Sequence, residues 1–187
     1  MSLHPAIFLD RDGVIIENRY SYVRSWADVE IYPQALAALA CVRHGPYKII
    51  IVTNQSAVGR GIITLAAATA INRQLVRTIE QAGGRIDGVF MCPHAPADNC
   101  DCRKPKPGLF RQAAQAHAID MDRSYMIGDA LTDVIAGQAA GVGRSVLLNT
   151  GRGRDQALLP EAKGLAPLQI YETLKTALSD LLALDQT

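Results

Sequence analysis

The chain has 187 residues, of which 49% are hydrophobic and 20% charged, and its 19 lysine and arginine residues nearly balance 18 acidic ones. This composition is typical of a globular protein, and the length suits a single domain spanning residues 1–187. The charge balance argues against nucleic acid as a partner, and no apolar run approaches the ~20 residues of a membrane helix. The first residues do not resemble a signal peptide. We expect a cytoplasmic monomer.

Short apolar runs alternate with segments of helical periodicity along the chain. After a first strand at 7–9 we expect a flap or loop over 14–32, and a loop rich in glycine and proline at 150–168. The other predicted strands are 48–52, 86–91, 124–127 and 144–148, and the predicted helices are 35–42, 65–82 (capped by Thr64), 108–118, 131–140 and 169–184. The alternation predicts a Rossmann-like α/β fold, a parallel sheet with helices on both faces. The elements leave no room for a separate cap domain.

The first strand ends in two carboxylates one residue apart, Asp10 and Asp12, followed by Gly13. In an extended strand both side chains lie on one side, and the glycine lets the backbone turn away. Two like charges so close repel each other unless a cation lies between them. Because Mg²⁺ prefers oxygen ligands, the pattern predicts a magnesium site at this strand end.

Further polar side chains follow the other predicted strands: Thr53 and Asn54, Lys104 in the loop after the third strand, and Asp129. Each alone could be a helix cap, a surface charge or a turn residue. Together at one sheet edge they are the groups that phosphoryl transfer needs, since they hold a metal, bind phosphoryl oxygens and neutralise charge. An aspartate can be the nucleophile, and a second carboxyl group can act as acid and then as base.

The set of motifs resembles that of the haloacid dehalogenase-like phosphatases over residues 6–153. The four matching segments are Phe8-Leu9-Asp10-Arg11-Asp12-Gly13, Thr53-Asn54-Gln55, Lys104-Pro105, and Gly128-Asp129-Ala130-Leu131-Thr132-Asp133. The resemblance implies Mg²⁺-dependent hydrolysis through an aspartyl-phosphate.

The resemblance also implies a role for each matching residue. Asp10 is the nucleophile and Asp12 the acid and base; Asp10, the Asp12 carbonyl and Asp129 hold Mg²⁺, and Asp133 supports the metal from behind its ligands. The groups implied to bind the transferring phosphoryl group are Thr53, Asn54 and Lys104. Lys106 is an alternative to Lys104, because both flank Pro105.

A cysteine and histidine cluster predicts a second metal. Its members are Cys92, His94, Cys100 and Cys102. Three thiolates and one imidazole form a closed tetrahedral zinc set with no position open for water, so we expect a structural zinc ion without Cys41. The zinc loop precedes Arg103 directly and would direct Arg103 and Lys104 toward the site.

Two branches of the superfamily compete for the substrate. Three segments resemble those of the D-glycero-D-manno-heptose 1,7-bisphosphate 7-phosphatases: the first motif, the second motif with Ser56 and Gly59-Arg60-Gly61, and Asn149-Thr150-Gly151-Arg152-Gly153. This resemblance implies a phosphorylated sugar as substrate and a role in lipopolysaccharide precursor synthesis. The short zinc loop equally resembles histidinol-phosphate phosphatases. A second phosphate needs cations, and Arg60, Arg103 and Arg152 are candidates, which favours the sugar bisphosphate. Ala130 departs from the lysine often found there in the heptose branch. A non-catalytic, zinc-stabilised binding module is the alternative of another class.

Overall fold

The computed structural model describes residues 3–165 and 167–184, and these residues form one six-stranded sheet with helices around it. The strands lie in the order β3-β2-β1-β4-β5-β6, and every neighbouring pair is parallel. The strands are β1 His4–Leu9, β2 Lys48–Asn54, β3 Gly88–Cys92, β4 Ile119–Gly128, β5 Arg144–Leu148 and β6 Ile170–Tyr171. The predicted parallel sheet is confirmed, and β1 lies between β2 and β4.

Helices cover both faces of the sheet, as the sequence predicted. In the described part of the chain they are α1 Pro33–Cys41, α2 Ser56–Gly59, α3 Leu65–Gln81, α4 Gly108–His117, α5 Leu131–Ala139, α6 Gly153–Ala157, α7 Pro160–Lys163 and α8 Leu174–Leu184. Helices α1, α3 and α8 contribute buried residues to the core on one face, and α4 and α5 contribute to the core on the other.

Strand β1 is apolar and buried from Pro5 to Leu9, because side chains on both of its faces enter a core. Ile7 and Leu9 belong to the first core, whereas Phe8 belongs to the second and lies against Phe110 of α4, with ring centroids 4.9 Å apart. Both faces of a covered parallel strand are buried, so polar residues have no place along it. Polar side chains are therefore concentrated where the strands end.

Helix α3 begins and ends where its sequence predicted. The Thr64 side chain accepts a hydrogen bond from the backbone N–H of Ala67 at 3.1 Å, which satisfies one free amide of the first turn. Buried residues such as Ile71, Leu75 and Ile79 recur at helical spacing and face the core. Gly83 then adopts a positive φ of 89°, as glycine does after a helix end.

The C-terminal region differs from the prediction. The expected helix 169–184 begins only at Leu174, and Ile170 and Tyr171 instead form strand β6, paired with β5. β-branched and aromatic residues favour a strand, and the Thr173 hydroxyl accepts a hydrogen bond from the N–H of Thr176, which starts the helix there. The predicted loop 150–168 also contains two short helices, α6 and α7.

The predicted flap over 14–32 is irregular, with a single 3₁₀ turn at Trp26–Asp28. Its first residues, Val14, Ile15 and Ile16, are fully buried in the first core, whereas Tyr20 is fully exposed. The flap is thus anchored at its base and reaches into solvent beside the strand ends. Across the described ranges, no helix combines the length and apolarity that crossing a membrane requires.

Candidate active site

The carboxyl ends of the central strands bring together residues that are distant in sequence. Asp10 follows β1, Thr53 lies near the end of β2, and Asp129 follows β4. All three are buried, with exposed fractions of 5% or less. The backbone N–H of Asp10 donates to the carbonyl of Ile127 at 3.0 Å, so the end of β1 is fixed against β4. The structure therefore assembles the predicted residues at one edge of the sheet.

Lys104 reaches this edge from the loop before α4. Its ammonium group is buried and donates to Asp10 Oδ1 at 3.0 Å, to Asp133 Oδ1 at 2.7 Å and to the carbonyl of Val52 at 2.7 Å. The Asn54 side chain holds the loop in place, because it bonds both the N–H and the carbonyl of Lys104 at 3.1 Å.

Lys106, the alternative lysine, lies elsewhere. Its ammonium group is exposed and donates to the Asn99 carbonyl and side chain at 3.0 Å, with Asp101 3.4 Å away. Of the two lysines that flank Pro105, the structure therefore brings only Lys104 to the strand ends.

Three carboxylates form a group that fits a cation. The oxygens of Asp10, Asp129 and Asp133 lie within 4.8 Å of one another. Backbone approaches closely here, since a Cβ atom at Gly13 would lie 2.2 Å from Asp129 Oδ2, and Gly13 has a positive φ of 80°. All three side chains offer carboxylate oxygens, which is the donor type that Mg²⁺ prefers.

Burial disfavours the ionised form of these three carboxylates. Burial raises the pKa of Asp10 to about 6, and it also raises the pKa values of Asp129 and Asp133. Burial alone would lower the pKa of Lys104, but Asp10 and Asp133 raise it above its ordinary value. One lysine thus faces several buried carboxylates, and a divalent cation would relieve the remaining repulsion.

Asp129 is also held by groups outside the predicted phosphoryl-binding set. The backbone N–H of Arg152 donates to Asp129 Oδ2 at 2.9 Å, and its guanidinium group donates to both carboxylate oxygens at 3.2–3.3 Å. The Asn18 amide donates to Oδ2 at 3.2 Å. The sequence did not point to Asn18, because it lies in an irregular flap that has no periodicity.

Asp12 is held by a hydrogen-bond network that the sequence interpretation missed. Arg11 donates to Asp12 Oδ1 at 3.0 Å and to Oδ2 at 3.1 Å, and the Gln55 amide donates to Oδ2 at 2.9 Å. Arg11 is 1% exposed, which is unusual for an arginine. A signal was present, since Arg11 lies between two aspartates at the end of a buried strand.

Several of these residues line a cavity of about 370 Å³ that is open to solvent, whereas Arg11, Thr53 and Asp129 lie behind its lining. Its floor contains Asp10, Asp12 and Lys104, and its wall includes flap residues 18–20, 22 and 23. Arg103 lines the cavity as predicted, and its guanidinium donates to Ser56 Oγ at 2.9 Å and to the His94 carbonyl at 3.3 Å. Arg60 was predicted to bind substrate, but its side chain is exposed and does not line this cavity.

The cysteine and histidine cluster is assembled beside the cavity. Cys92 Sγ lies 3.6 Å from both His94 Nδ1 and Cys100 Sγ, and Cys102 Sγ lies 3.3 Å from His94 Nδ1 and 3.5 Å from Cys100 Sγ. Cys41 is exposed and belongs to α1, away from the cluster. The four ligand atoms thus form a closed group of the kind that surrounds a single metal ion.

Comparison with known proteins agrees with this geometry. A family model described as HAD-hydrolase-like matches residues 101–177. A D-glycero-β-D-manno-heptose-1,7-bisphosphate 7-phosphatase of Bordetella bronchiseptica is 38% identical over 158 residues, which cover 83% of this chain and 88% of that protein. A Helicobacter pylori protein of the same name is 40% identical over 149 residues, covering 79% of this chain and 85% of the relative. The chain belongs to the HAD-like hydrolase family.

A solved structure extends the likeness to the whole fold. The crystal structure of the D,D-heptose 1,7-bisphosphate phosphatase from B. bronchiseptica, complexed with magnesium and phosphate, matches with a TM-score of 0.86 and 35% identity. The match covers 96% of this chain and 98% of that one. The predicted family and its heptose bisphosphatase branch are therefore both confirmed as the proteins that this chain resembles.

Proposed function

We propose that this chain is a Mg²⁺-dependent phosphatase that transfers a phosphoryl group first to Asp10 and then to water. One observation carries the proposal: a buried lysine, Lys104, lies 3.0 Å from the carboxylate of Asp10 at the floor of an open polar cavity, beside the carboxylates of Asp129 and Asp133. The lysine supplies positive charge where phosphoryl oxygens would lie, and the carboxylate supplies the nucleophile.

The reaction has two steps in this assignment. An oxygen of Asp10 bonds to phosphorus while the bond to the leaving oxygen breaks, and Asp12 gives that oxygen a proton. Water then attacks the phosphorus and gives a proton to Asp12, so that phosphate leaves and Asp10 is restored. Thr53, Asn54 and Lys104 bind the phosphoryl oxygens during both steps.

Magnesium fits the residues present. Asp10, the Asp12 carbonyl and Asp129 would hold it, with Asp133 holding Lys104 in place at 2.7 Å. When bound, Mg²⁺ neutralises charge on the carboxylates and on the phosphoryl group. The related phosphatase from B. bronchiseptica was crystallised with magnesium and phosphate, which supports this assignment.

We assign zinc to Cys92, His94, Cys100 and Cys102. A tetrahedral ion with Zn–S bonds of about 2.3 Å needs ligand atoms roughly 3.7 Å apart. The contacts described above, at 3.3–3.6 Å, are close to that value. With all four positions filled by protein, the ion would stabilise the loop and take no part in the reaction.

The proposed substrate is D-glycero-β-D-manno-heptose 1,7-bisphosphate, which would lose its C7 phosphate as a step in lipopolysaccharide precursor synthesis. Relatives that are 34–40% identical to this chain are named as 7-phosphatases of this bisphosphate. The position of Arg103 at the cavity wall supports it, because a second phosphate needs a cation that the metal does not provide. We also propose that residues 1–187 form one domain and act as a cytoplasmic monomer.

Phosphate release from a small substrate panel tests the proposal. We expect Mg²⁺-dependent release from the heptose bisphosphate, at a much higher kcat/KM than from histidinol phosphate or a hexose monophosphate, and loss of release with a chelator. A higher kcat/KM for histidinol phosphate than for the heptose bisphosphate would contradict the proposed substrate. Absence of release from every ester, with metal present and the fold intact, would favour a non-catalytic binding module.

A further inference from the structure

The side chain of Arg11 is buried, yet the reaction described above gives it no role. Its guanidinium group donates from Nε and Nη2 to the two oxygens of Asp12, at 3.1 and 3.0 Å. This is the paired geometry in which an arginine fixes both the position and the plane of a carboxylate. The rotation of the Asp12 carboxylate is therefore set by Arg11.

The far side of Arg11 is fixed as well. Nη1 donates to Asn72 Oδ1 of helix α3 at 2.8 Å, and Nη2 donates to Gln55 Oε1 at 3.0 Å. Asn72 and Gln55 are both at least 90% buried. Arg11 is therefore held by two buried side chains on the side away from Asp12.

Gln55 joins this network to the phosphoryl-binding side of the site. Its amide donates to Asp12 Oδ2 at 2.9 Å and to Thr53 Oγ1 at 2.9 Å. The spacing between the acid–base carboxylate and the hydroxyl that is proposed to bind the phosphoryl group is therefore set by one buried amide.

The network leaves Asp12 able to react. A carboxylate has about four acceptor sites, and the contacts described here use three of those on Asp12. Its side chain is 19% exposed and lines the cavity. One acceptor site thus remains for a proton while Arg11 and Gln55 hold the rest.

We propose that Arg11 and Gln55 are positioning residues, which hold the Asp12 carboxylate at the angle from which it exchanges a proton with the leaving oxygen and then with water. This inference rests on the proposed phosphatase reaction. It differs from a purely structural role, in which Arg11 would only tie β1 to α3 and to the loop after β2.

The leaving group separates the two roles. A sugar alkoxide is a poor leaving group that needs a proton from Asp12, whereas p-nitrophenolate leaves without one. The kcat/KM for p-nitrophenyl phosphate reports steps up to formation of the aspartyl-phosphate, but kcat also includes its hydrolysis, in which Asp12 activates water. Displacing Asp12 should therefore lower kcat/KM for the sugar phosphate and kcat for p-nitrophenyl phosphate, but should change kcat/KM for p-nitrophenyl phosphate much less.

We expect Arg11→Lys to keep the charge but lose the paired contact. Because a misplacement of about 1 Å costs up to roughly a hundredfold, kcat/KM for the sugar phosphate should fall by about ten- to a hundredfold. The kcat/KM for p-nitrophenyl phosphate should change by less than about threefold. Its time course should begin with a burst of about one p-nitrophenolate per enzyme molecule, because hydrolysis of phosphorylated Asp10 becomes slow. Gln55→Met should give the same pattern in weaker form.

Arg85→Lys is the matched control. Arg85 also pairs with a carboxylate, that of Asp87 at 3.2 Å, but it does not line the cavity. Its replacement should therefore leave kcat/KM unchanged for both substrates. An equal loss on both substrates in Arg11→Lys and Gln55→Met, or no loss on either, would overturn the inference while the wild type remained active. A wild type that hydrolyses neither ester with Mg²⁺ would instead remove the proposed function, and this inference with it.

Discussion

Two neighbouring residues place positive charge at different depths of the site. Lys104 extends inward to Asp10 and Asp133, whereas Arg103 lines the wall, where its guanidinium bonds Ser56 and the His94 carbonyl. In the proposed reaction, this loop would supply one cation to the reacting phosphoryl group and a second cation further out. A bisphosphate substrate would need both cations, one for each phosphate.

Replacement of Arg103 tests this division. A charge-assisted pair is worth about 1.5–3 kcal/mol, and each 1.4 kcal/mol is about tenfold. Arg103→Ala should therefore lower kcat/KM for the heptose bisphosphate by roughly ten- to a hundredfold, and much less for a monophosphate that lacks the C1 phosphate. Steady-state kinetics with both esters would measure this. Arg60→Ala is the control, since Arg60 lies outside the cavity. If Arg103→Ala lowered kcat/KM equally for both esters, Arg103 would act on the reacting phosphoryl group or support the fold instead.

At the residue scale, the sequence predicted the side chains that lie at strand ends. It did not predict the contacts that form between side chains distant in sequence. Asp10, Thr53 and Asp129 could be predicted because each follows or ends a buried apolar run. The pairing of Arg11 with Asp12 could not be predicted in the same way, because a side chain's partners depend on rotamers and on distant buried residues such as Asn72.

At the scale of elements, the loop between β3 and α4 connects the cysteine cluster to the reactive residues. Cys92 ends β3, Cys102 is followed directly by Arg103 and Lys104, and Asn54 of β2 holds the Lys104 backbone. A metal in this loop would therefore control where two cations lie, although it never contacts the phosphoryl group.

Cys102→Ala tests that control. We expect one zinc ion per wild-type chain by elemental analysis and much less in the variant, because a closed tetrahedral site loses one of its four ligands. Activity should fall by about ten- to a hundredfold as Arg103 and Lys104 shift. Cys41→Ala should keep both zinc and activity, since Cys41 lies outside the cluster. Zinc below a tenth of an equivalent in a fully active wild type would contradict the assignment.

The elements that the sequence predicted well are those with a buried stripe and clear end signals. Helix α3 has both, with the Thr64 cap and Gly83 beyond its end. Strand β6 was missed because its two residues are too few to show periodicity, so that their strand preference becomes evident only from their pairing with β5. Short helices α6 and α7 were missed for a similar reason.

At the scale of the molecule, burying carboxylates for chemistry should lower stability. Burial raises the pKa of Asp10 from 3.8 to about 6, so the folded protein binds this proton more readily than the unfolded chain. The contribution of Asp10 to stability is then fully present below about pH 4 and is lost as the pH rises through about 6. At neutral pH without metal, the ionised group opposes folding.

Asp10→Asn should therefore abolish turnover and yet stabilise the metal-free fold by about 1–3 kcal/mol at pH 7.5. The gain should shrink as the pH falls from about 6 to about 4, and it should be absent below about 4, where Asp10 is protonated in both states. Added Mg²⁺ should stabilise the wild type more than the variant, because the variant lacks a proposed ligand. Thermal unfolding in chelator and in Mg²⁺ across this pH range would measure all three effects. Retained turnover in Asp10→Asn would rule out Asp10 as the nucleophile, and equal stability in chelator would contradict the cost of its burial.

The strand order has a consequence for how the protein is made. Strand β1 is the first to be synthesised, but it pairs with β4, whose register begins more than a hundred residues later. Since chains emerge from the ribosome N-terminus first, the proposed nucleophile Asp10 is present early, whereas Asp129 and Gly151, which packs against the Asp129 carboxylate, are synthesised much later. A nascent or truncated chain thus contains Asp10 without an assembled site, and we expect it to be inert toward phosphate esters until translation has passed Gly151.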